Sequence, residues 1–361
     1  MNFFMKKSFY HLSPHIINLL GYNKRLFKFF KVQINGNPKI RKLKISDPRM
    51  VEIGDNSVIS NVKINGKWYF LVLPNSKVSN IEINRHTIIT PKNVYYGNEV
   101  EREVITFSFD LEGGVGLSHA SSKEFQKLRN FWKSKEIAKK LIKILDKYEL
   151  KSTWGVCGHL FLRECNGNHG FGIKDYYGDW FLYDPKTNYK ENSSWYMPDL
   201  IEEMKSNNLI ETGYHSFGHF KYWLINEFVA EKDMKIKDEI EKEYNLKMKS
   251  FIFPYNRINH IDILLKHKIK FIRGYINGVA PLGKVIDFKK FIYIDTNLFV
   301  SPLNMEMCIK KIKTCKPVNF NIFTHPWNWL GDNNFREFEK FCKFLSQYRD
   351  LMFKFNELEN L

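Results

Sequence analysis

The sequence predicts an α/β protein: a mainly parallel sheet, open or closed into a barrel, preceded by a small β-rich module. Three observations carry this expectation. From about residue 101, strand-like segments alternate with helical ones, the pattern of β-α units on a parallel sheet. The polar residues of those strand-like segments sit near their carboxyl ends, where such sheets collect chemistry. Residues 32–100 are instead rich in β-branched residues and turn signals, with Asn-Gly pairs at 35–36 and 65–66.

The chain opens on a basic block. Residues 1–46 hold ten Lys or Arg and no acid, +10 of a net charge of +17. After Ser13-Pro14, the residues Ile16, Leu19, Leu20, Phe27 and Phe30 share one helical face, with Lys24, Lys28 and Lys31 beside it. Such a basic amphipathic segment over 1–31, broken at Gly21, can make peripheral contact with an anionic membrane or pack on its own domain. The charge could also face nucleic acid, but no helix-turn-helix, zinc finger or RNA-binding signature accompanies it, so a nucleic-acid partner is not expected. No apolar run approaches the ~18 residues of a membrane span, and no signal peptide is read at the start. A cytoplasmic location is therefore expected. The five cysteines (Cys157, Cys165, Cys308, Cys315, Cys342) form no C-x-x-C pair, which argues against a disulfide framework or a structural zinc cluster.

Within 32–100, "NSVISNVKI" (56–64) returns as "NSKVSNIEI" (75–83), a shift of 19 residues. Two similar β units, as in coils of a short solenoid, are implied. Because a solenoid needs about three repeats to bury its core, the expectation is a small β-sheet module with a two-copy repeat.

Residues 101–361 carry the alternation. "EVITFSFDLE" places Ile105, Phe107, Phe109 and Leu111 on one strand face and Thr106, Ser108, Asp110 and Glu112 on the other. Ile137, Ala138, Leu141, Ile142 and Leu145 form a helical stripe. "LKSTWGVCG" reads as a strand, "MPDLIEEMKSNN" as a helix opened by Pro198, and "SFIFPYN" and "VNFNIFTHP" as strands ended by proline.

Three groups of residues could do chemistry. Asp110 and Glu112, two apart on a strand, project from one face roughly 6–7 Å apart along the chain. Two buried carboxylates are costly without compensating cations. In "GYHSFGHF", His215 and His219 can converge on one ion if the segment is helical or tightly turned. The H-E-x-x-H zinc-protease pattern does not apply, since Ser216 occupies the Glu position. Together with the acidic pair, they could make a 2-His-1-carboxylate metal site with open positions. His325, pinned by Pro326 at the end of "NFNIFTH", could serve as a general acid or base, or simply cap the strand.

The order and spacing of these segments resemble the polysaccharide deacetylase family, carbohydrate esterase family 4, over about residues 101–330. "FSFDLE" looks like its first motif, and "STWGVCG" (152–158) is similar to its Ala-Thr-Phe-Phe-x-x-Gly strand. "MPDLIEEMKSNNLIETGYHSFGH" resembles its proline-led helix running into Glu-Ile-Gly-x-His-Ser/Thr-x-x-His. "IFPY" (252–255) and "IFTH" (322–325) correspond to its third and fifth motifs. The resemblance implies a distorted β/α barrel holding one divalent metal ion, most often Zn2+ and sometimes Co2+, Ni2+ or Mn2+. It implies hydrolysis of the N-acetyl group of an amino sugar or of another small acyl group. Residue by residue, it implies Asp110 as catalytic base, and Glu112, His215 and His219 as metal ligands. It further implies His325 as general acid and the Tyr255 amide as oxyanion donor. Two positions depart from the family pattern. The arginine that orients the base is replaced by Ile252, with Arg257 and Arg273 as candidate substitutes, and only Asp295 offers a carboxylate to tune the final histidine.

About forty residues separate the second strand from the Pro198 helix, a length that is uncommon unless the loop is functional or disordered. They hold Tyr176, Tyr177, Trp180, Phe181, Tyr183, Trp195 and Tyr196, and Trp327 follows His325 closely. Aromatic faces stack on sugars, so Trp180, Trp195 and Trp327 are the expected substrate contacts. A cytoplasmic deacetylase cannot reach finished cell-wall polymer, so a nucleotide- or lipid-linked amino-sugar precursor of a surface glycan is the expected substrate. Alternatives are a deformylase or other amidohydrolase on this fold, and an inactive carbohydrate-binding relative, of which Ile252 would be the first sign.

Overall fold

The computed structural model describes residues 33–34, 37–45, 51–66, 68–117, 133–171, 183–275, 283–314 and 319–361. They divide into two compact units, the first made chiefly of residues up to 98. The amphipathic segment expected over 1–31 lies outside the described residues.

In the first unit, β1 (Gln33–Ile34), β3 (Val51–Ile53), β5 (Phe70–Val72) and β7 (His86–Ile89) pair in parallel in that order. β8 (Val94–Glu99) runs antiparallel to β7. A second parallel sheet joins β2 (Lys39–Ile45), β4 (Val58–Ile64) and β6 (Lys77–Ile83). Its register aligns Ile40 with Ile59 and Val78, and Ile45 with Ile64 and Ile83. The repeat therefore has three copies where the sequence echo gives two, and the unit is a short solenoid. The first copy, "KIRKLKI", keeps the inward apolar positions but carries Arg41 and Lys42 where the others carry Ser-Asn, which hides it. Leu43, Val62, Ile64, Phe70, Val72 and Ile83 lie in the shared core. Asn61 and Asn80 take the same left-handed turn (φ 53° and 54°) and hydrogen bond to each other at 2.9 Å.

The second unit is built on β9 (Ile105–Leu111), β10 (Ser152–Val156), β11 (Ile210–Tyr214), β12 (Ser250–Arg257) and β13 (Phe271–Tyr275). Shorter strands follow: β14 (Val285–Asp287), β15 (Ile292–Asp295), β16 (Leu298–Phe299) and β17 (Phe320–Thr324). Their order is β14-β15-β13-β12-β11-β10-β9-β17-β16. Every pairing from β12 through β16 is parallel. The α/β class with a β-rich start is as predicted, and among the described residues the sheet does not close into a complete barrel.

Six α-helices are described: α1 (Ser134–Lys147), α2 (Pro198–Ser206), α3 (Glu227–Tyr244), α4 (Ile261–Lys266), α5 (Met305–Thr314) and α6 (Asp332–Leu345). The predicted stripe Ile137–Leu145 is the buried face of α1, and Pro198 sits in the first turn of α2 as read. The Asn226 side chain caps α3 by accepting from the Val229 amide, and Asn245 ends it in the left-handed conformation. Among the described residues no helix is long and apolar enough to cross a membrane.

β9 is buried on both faces. Phe109 stacks on Trp154 at 4.3 Å, and Phe107 and Phe109 both meet Phe338. On the other face Thr106 donates to Asn321 at 2.9 Å and Ser108 to the Ile322 carbonyl at 3.2 Å, which satisfies its small polar residues. This face leads to Asp110 and Glu112.

Candidate metal centre and catalytic site

Five strands of the sheet carry the predicted residues of the second unit. Asp110 is the next-to-last residue of β9, with Glu112 just past its end; His215 directly follows β11, and His325 directly follows β17. Tyr255 lies in β12 and Arg273 in β13.

The histidines meet because the chain after β11 turns sharply. Ser216 and His219 both take left-handed backbone conformations (φ 63° and 53°), and the Ser216 hydroxyl accepts from the Phe220 amide at 3.2 Å. The turn is tied down from α3. Buried Asp233 accepts from the Phe217 amide at 2.7 Å, the Tyr214 hydroxyl at 2.9 Å and the Tyr222 hydroxyl at 2.5 Å. Burial raises the Asp233 carboxyl above its usual value, against the pull of those donors. Asp233 lies in no motif of the sequence. Its signal is a carboxylate set among Val229, Ala230 and Met234 on the buried face of α3.

Glu112 is the hub of the cluster. Its Oε1 lies 3.5 Å from His215 Nε2, 3.2 Å from His219 Nε2 and 3.4 Å from His325 Nε2. Glu112, His215 and His219 form one group able to hold a cation, and Asp110, Glu112 and His325 form another. A test of fit is the tautomer of His215. Its Nδ1 is 2.7 Å from the Ile252 carbonyl, which can only accept, so Nδ1 carries the proton. Nε2 is buried without a hydrogen-bond partner and faces the Glu112 oxygen, so in the neutral ring it presents a lone pair there. Lone pair against carboxylate is repulsive unless a cation stands between them. The carbonyl behind the imidazole is the usual outer support of a metal-bound histidine. The donor set fits a divalent ion such as zinc.

Arg273 resolves the missing arginine. It grips Asp110 with two bonds of 2.6 Å, Nη1 to Oδ1 and Nη2 to Oδ2, and is itself fully buried. Nη1 also donates to Ser108, and Nη2 to Asn256. Arg257, the other candidate, lies over the Trp223 ring instead. Burial pushes Asp110 up, but the Arg273 guanidinium, with His215 and His325, brings its carboxyl below the usual range. Glu112 is likewise held well below its usual value: burial opposes ionisation, and the imidazoles of His219 and His325 overcome it.

His325 is the most open of these residues, its side chain 19% exposed. Its Nε2 stands 3.8 Å from Asp110 and 3.4 Å from Glu112. Burial lowers its pKa, and the Glu112 charge more than reverses this, so the imidazole sits above its ordinary value. Asp295 does not tune it. That carboxylate accepts from Tyr293 and from the Gly283 amide, and His325 Nδ1 has no hydrogen-bond partner.

Of the three tryptophans read as sugar contacts, Trp327 lies beside the site, its ring 4.9 Å from that of His325. Trp195, expected to contact sugar, is instead buried. It is 1% exposed and packed so closely on Gly114 that a Cβ there would meet its ring at 2.2 Å, so it is a core side chain with no face for a sugar. Trp180 lies outside the described residues.

No protein-family model and no curated protein matches the sequence. Solved structures do. A protein from Mycobacterium smegmatis assigned as a polysaccharide deacetylase matches with a TM-score of 0.51 at 10% identity, over 73% of this chain and 92% of that one. A pseudoenzyme of carbohydrate esterase family 4 from Bacillus anthracis matches with a TM-score of 0.42 at 12% identity, over 73% and 67%. A family 4 carbohydrate esterase from Streptomyces lividans, solved with acetate, matches with a TM-score of 0.39 at 10% identity, over 70% and 92%. The chain has the polysaccharide deacetylase fold.

Proposed function

We propose that this chain is a divalent-metal-dependent hydrolase that removes the N-acetyl group from an amino sugar. The observation that carries the proposal is the convergence on Glu112 of His215, His219 and His325, next to an Asp110 locked by Arg273. Glu112, His215 and His219 would hold the ion. When bound, such an ion supplies Lewis acidity, acidifying a water and polarising the acyl carbonyl.

The remaining work belongs to the protein's own groups. Asp110, ionised and fixed in orientation by Arg273, accepts the proton of the attacking water. The Tyr255 N–H donates to the carbonyl oxygen as charge develops there. Tyr255 and Asn256 both hold left-handed backbone (φ 59° and 58°), and strain of this kind persists where surrounding structure fixes a working geometry. His325, raised in pKa and partly exposed, gives its proton to the departing amine as the C–N bond breaks. Water and amide become acetate and free amine. A catalytically silent relative, suggested by Ile252, is disfavoured because Arg273 supplies a guanidinium to the same carboxylate.

A nucleotide- or lipid-linked precursor of a surface glycan, met in the cytoplasm or at the inner face of the membrane, is the substrate we favour. The basic start of the chain supports the lipid-linked version. So do the exposed apolar residues Phe299, Leu303 and Met307, with the Phe299 ring 6.1 Å from His325. The test is metal analysis of the purified chain combined with acetate release from N-acetylated sugar nucleotides and lipid-linked N-acetylated sugars. Metal-dependent acetate release is expected. Formate or another acyl product would move the assignment to a related amidohydrolase, and no product with metal bound would leave a binding protein.

A further inference from the structure

A second cluster of metal-ligating side chains lies outside the site described above. His159, Cys165, His169 and Asp184 each offer one atom, and these atoms all lie within 4.8 Å of one another. His159 sits in the short 3-10 turn Gly158–Phe161 after β10, and the other three come from the long connection that follows. Cys165 Sγ is 3.4 Å from His169 Nε2 and 3.2 Å from Asp184 Oδ2, and His159 Nε2 is 3.6 Å from that same oxygen. The edges of a tetrahedron around zinc with S, N and O ligands are about 3.3–3.8 Å, from bond lengths of about 2.0–2.3 Å. His169 Nε2 and Asp184 Oδ2, at 2.8 Å, would have to part by about 0.5 Å to match.

The surroundings are those of a metal site. His159 Nδ1 donates to the Trp195 carbonyl at 3.1 Å, so its Nε2 turns a lone pair toward the Asp184 carboxylate. Asp184 uses its outer oxygen, Oδ1, to accept from the Tyr196 hydroxyl at 2.8 Å and the Lys186 amide at 3.1 Å, leaving Oδ2 for the cluster. The Gly167 amide donates to Cys165 Sγ at 3.0 Å, a bond that steadies a thiolate. The side chains of His159, His169 and Asp184 are at most 2% exposed.

From this we propose that His159, Cys165, His169 and Asp184 bind a structural zinc ion that staples the long connection between β10 and α2. Four protein ligands fill a tetrahedral shell and leave no position for substrate, which separates this site from the open one at Glu112. A thiolate with two imidazoles and one carboxylate suits zinc over magnesium or calcium. The staple has a job here. Glu164 and Asn188 make a single β-bridge, and the other described residues of the connection are mostly turns, bends and irregular backbone. Spacings of 6, 4 and 15 residues match no C-x-x-C pattern, which is why the cysteine count argued against such a site.

Metal content of the full chain, and its absorption spectrum with Co2+ in place of the native ion, would test this. Two equivalents of metal are expected, with a near-ultraviolet thiolate-to-cobalt band. The Glu112→Gln/His215→Ala variant should lose one equivalent and keep the band, whereas Cys165→Ser should lose the band. A chain that binds one equivalent, lost entirely in Glu112→Gln/His215→Ala, overturns the proposal. So does a second equivalent without the thiolate band. Both decisive measurements use forms that keep Cys165, so misfolding of Cys165→Ser would not blur the result.

Discussion

Asp110 and Arg273 are 163 residues apart in the chain and share two short bonds inside the protein. The carboxylate is useful as a base only while it is ionised and aimed, and the guanidinium does both. Asp110→Asn should retain bound metal while lowering turnover by about 100-fold or more, read as acetate release per metal-loaded chain. Arg273→Met leaves the carboxylate buried without its cation. Its pKa should then rise, moving the acid limb of the rate profile to higher pH. The sign for stability follows from the same shift. With Arg273, the folded pKa lies below the unfolded value, so the pair stabilises the protein above about pH 4 and that contribution fades as pH falls further. Removing one partner of a buried pair costs about 3–5 kcal/mol, to be read by denaturant unfolding at neutral pH.

At the scale of elements, the turn after β11 depends on a side chain from α3. Asp233→Ala removes the acceptor for Phe217, Tyr214 and Tyr222, leaving buried donors at a cost of roughly 1–3 kcal/mol each. The loosened turn should weaken metal binding by about 10–100-fold, measured by competition with a chelator, with Asp233→Asn intermediate. In the solenoid, Gly54 sits where a Cβ would approach the Pro74 nitrogen at 2.5 Å. Gly54→Ala should therefore cost about 1–3 kcal/mol in thermal unfolding. The helices and long strands were legible in advance because their periods are local: α1 needs only its own stripe, and β9 its own alternation. The third solenoid copy was harder to see, because Arg41 and Lys42 mask a register that only stacking against β4 reveals.

For the whole molecule, the net charge of +17 and its concentration at the start of the chain bear on where the protein works. Lys6, Lys7, Lys24, Arg25, Lys28 and Lys31 would each contribute about 1 kcal/mol near an anionic surface. Removing residues 1–31 should release the protein from vesicles containing anionic lipid while leaving its metal content unchanged. Equal vesicle binding by the shortened chain would rule out the anchor.

Sequence alone determined the residues that carry the proposed chemistry, because Asp110, Glu112, His215, His219 and His325 sit in short motifs at fixed distances from strand ends. It also set the α/β class, since hydrophobic period is a property of neighbours in the chain. Only the tertiary structure decided which arginine holds Asp110, that Trp195 belongs to the core, and that His159, Cys165, His169 and Asp184 converge. Those facts depend on contacts between distant segments, and no local pattern records which side chain a buried charge will find.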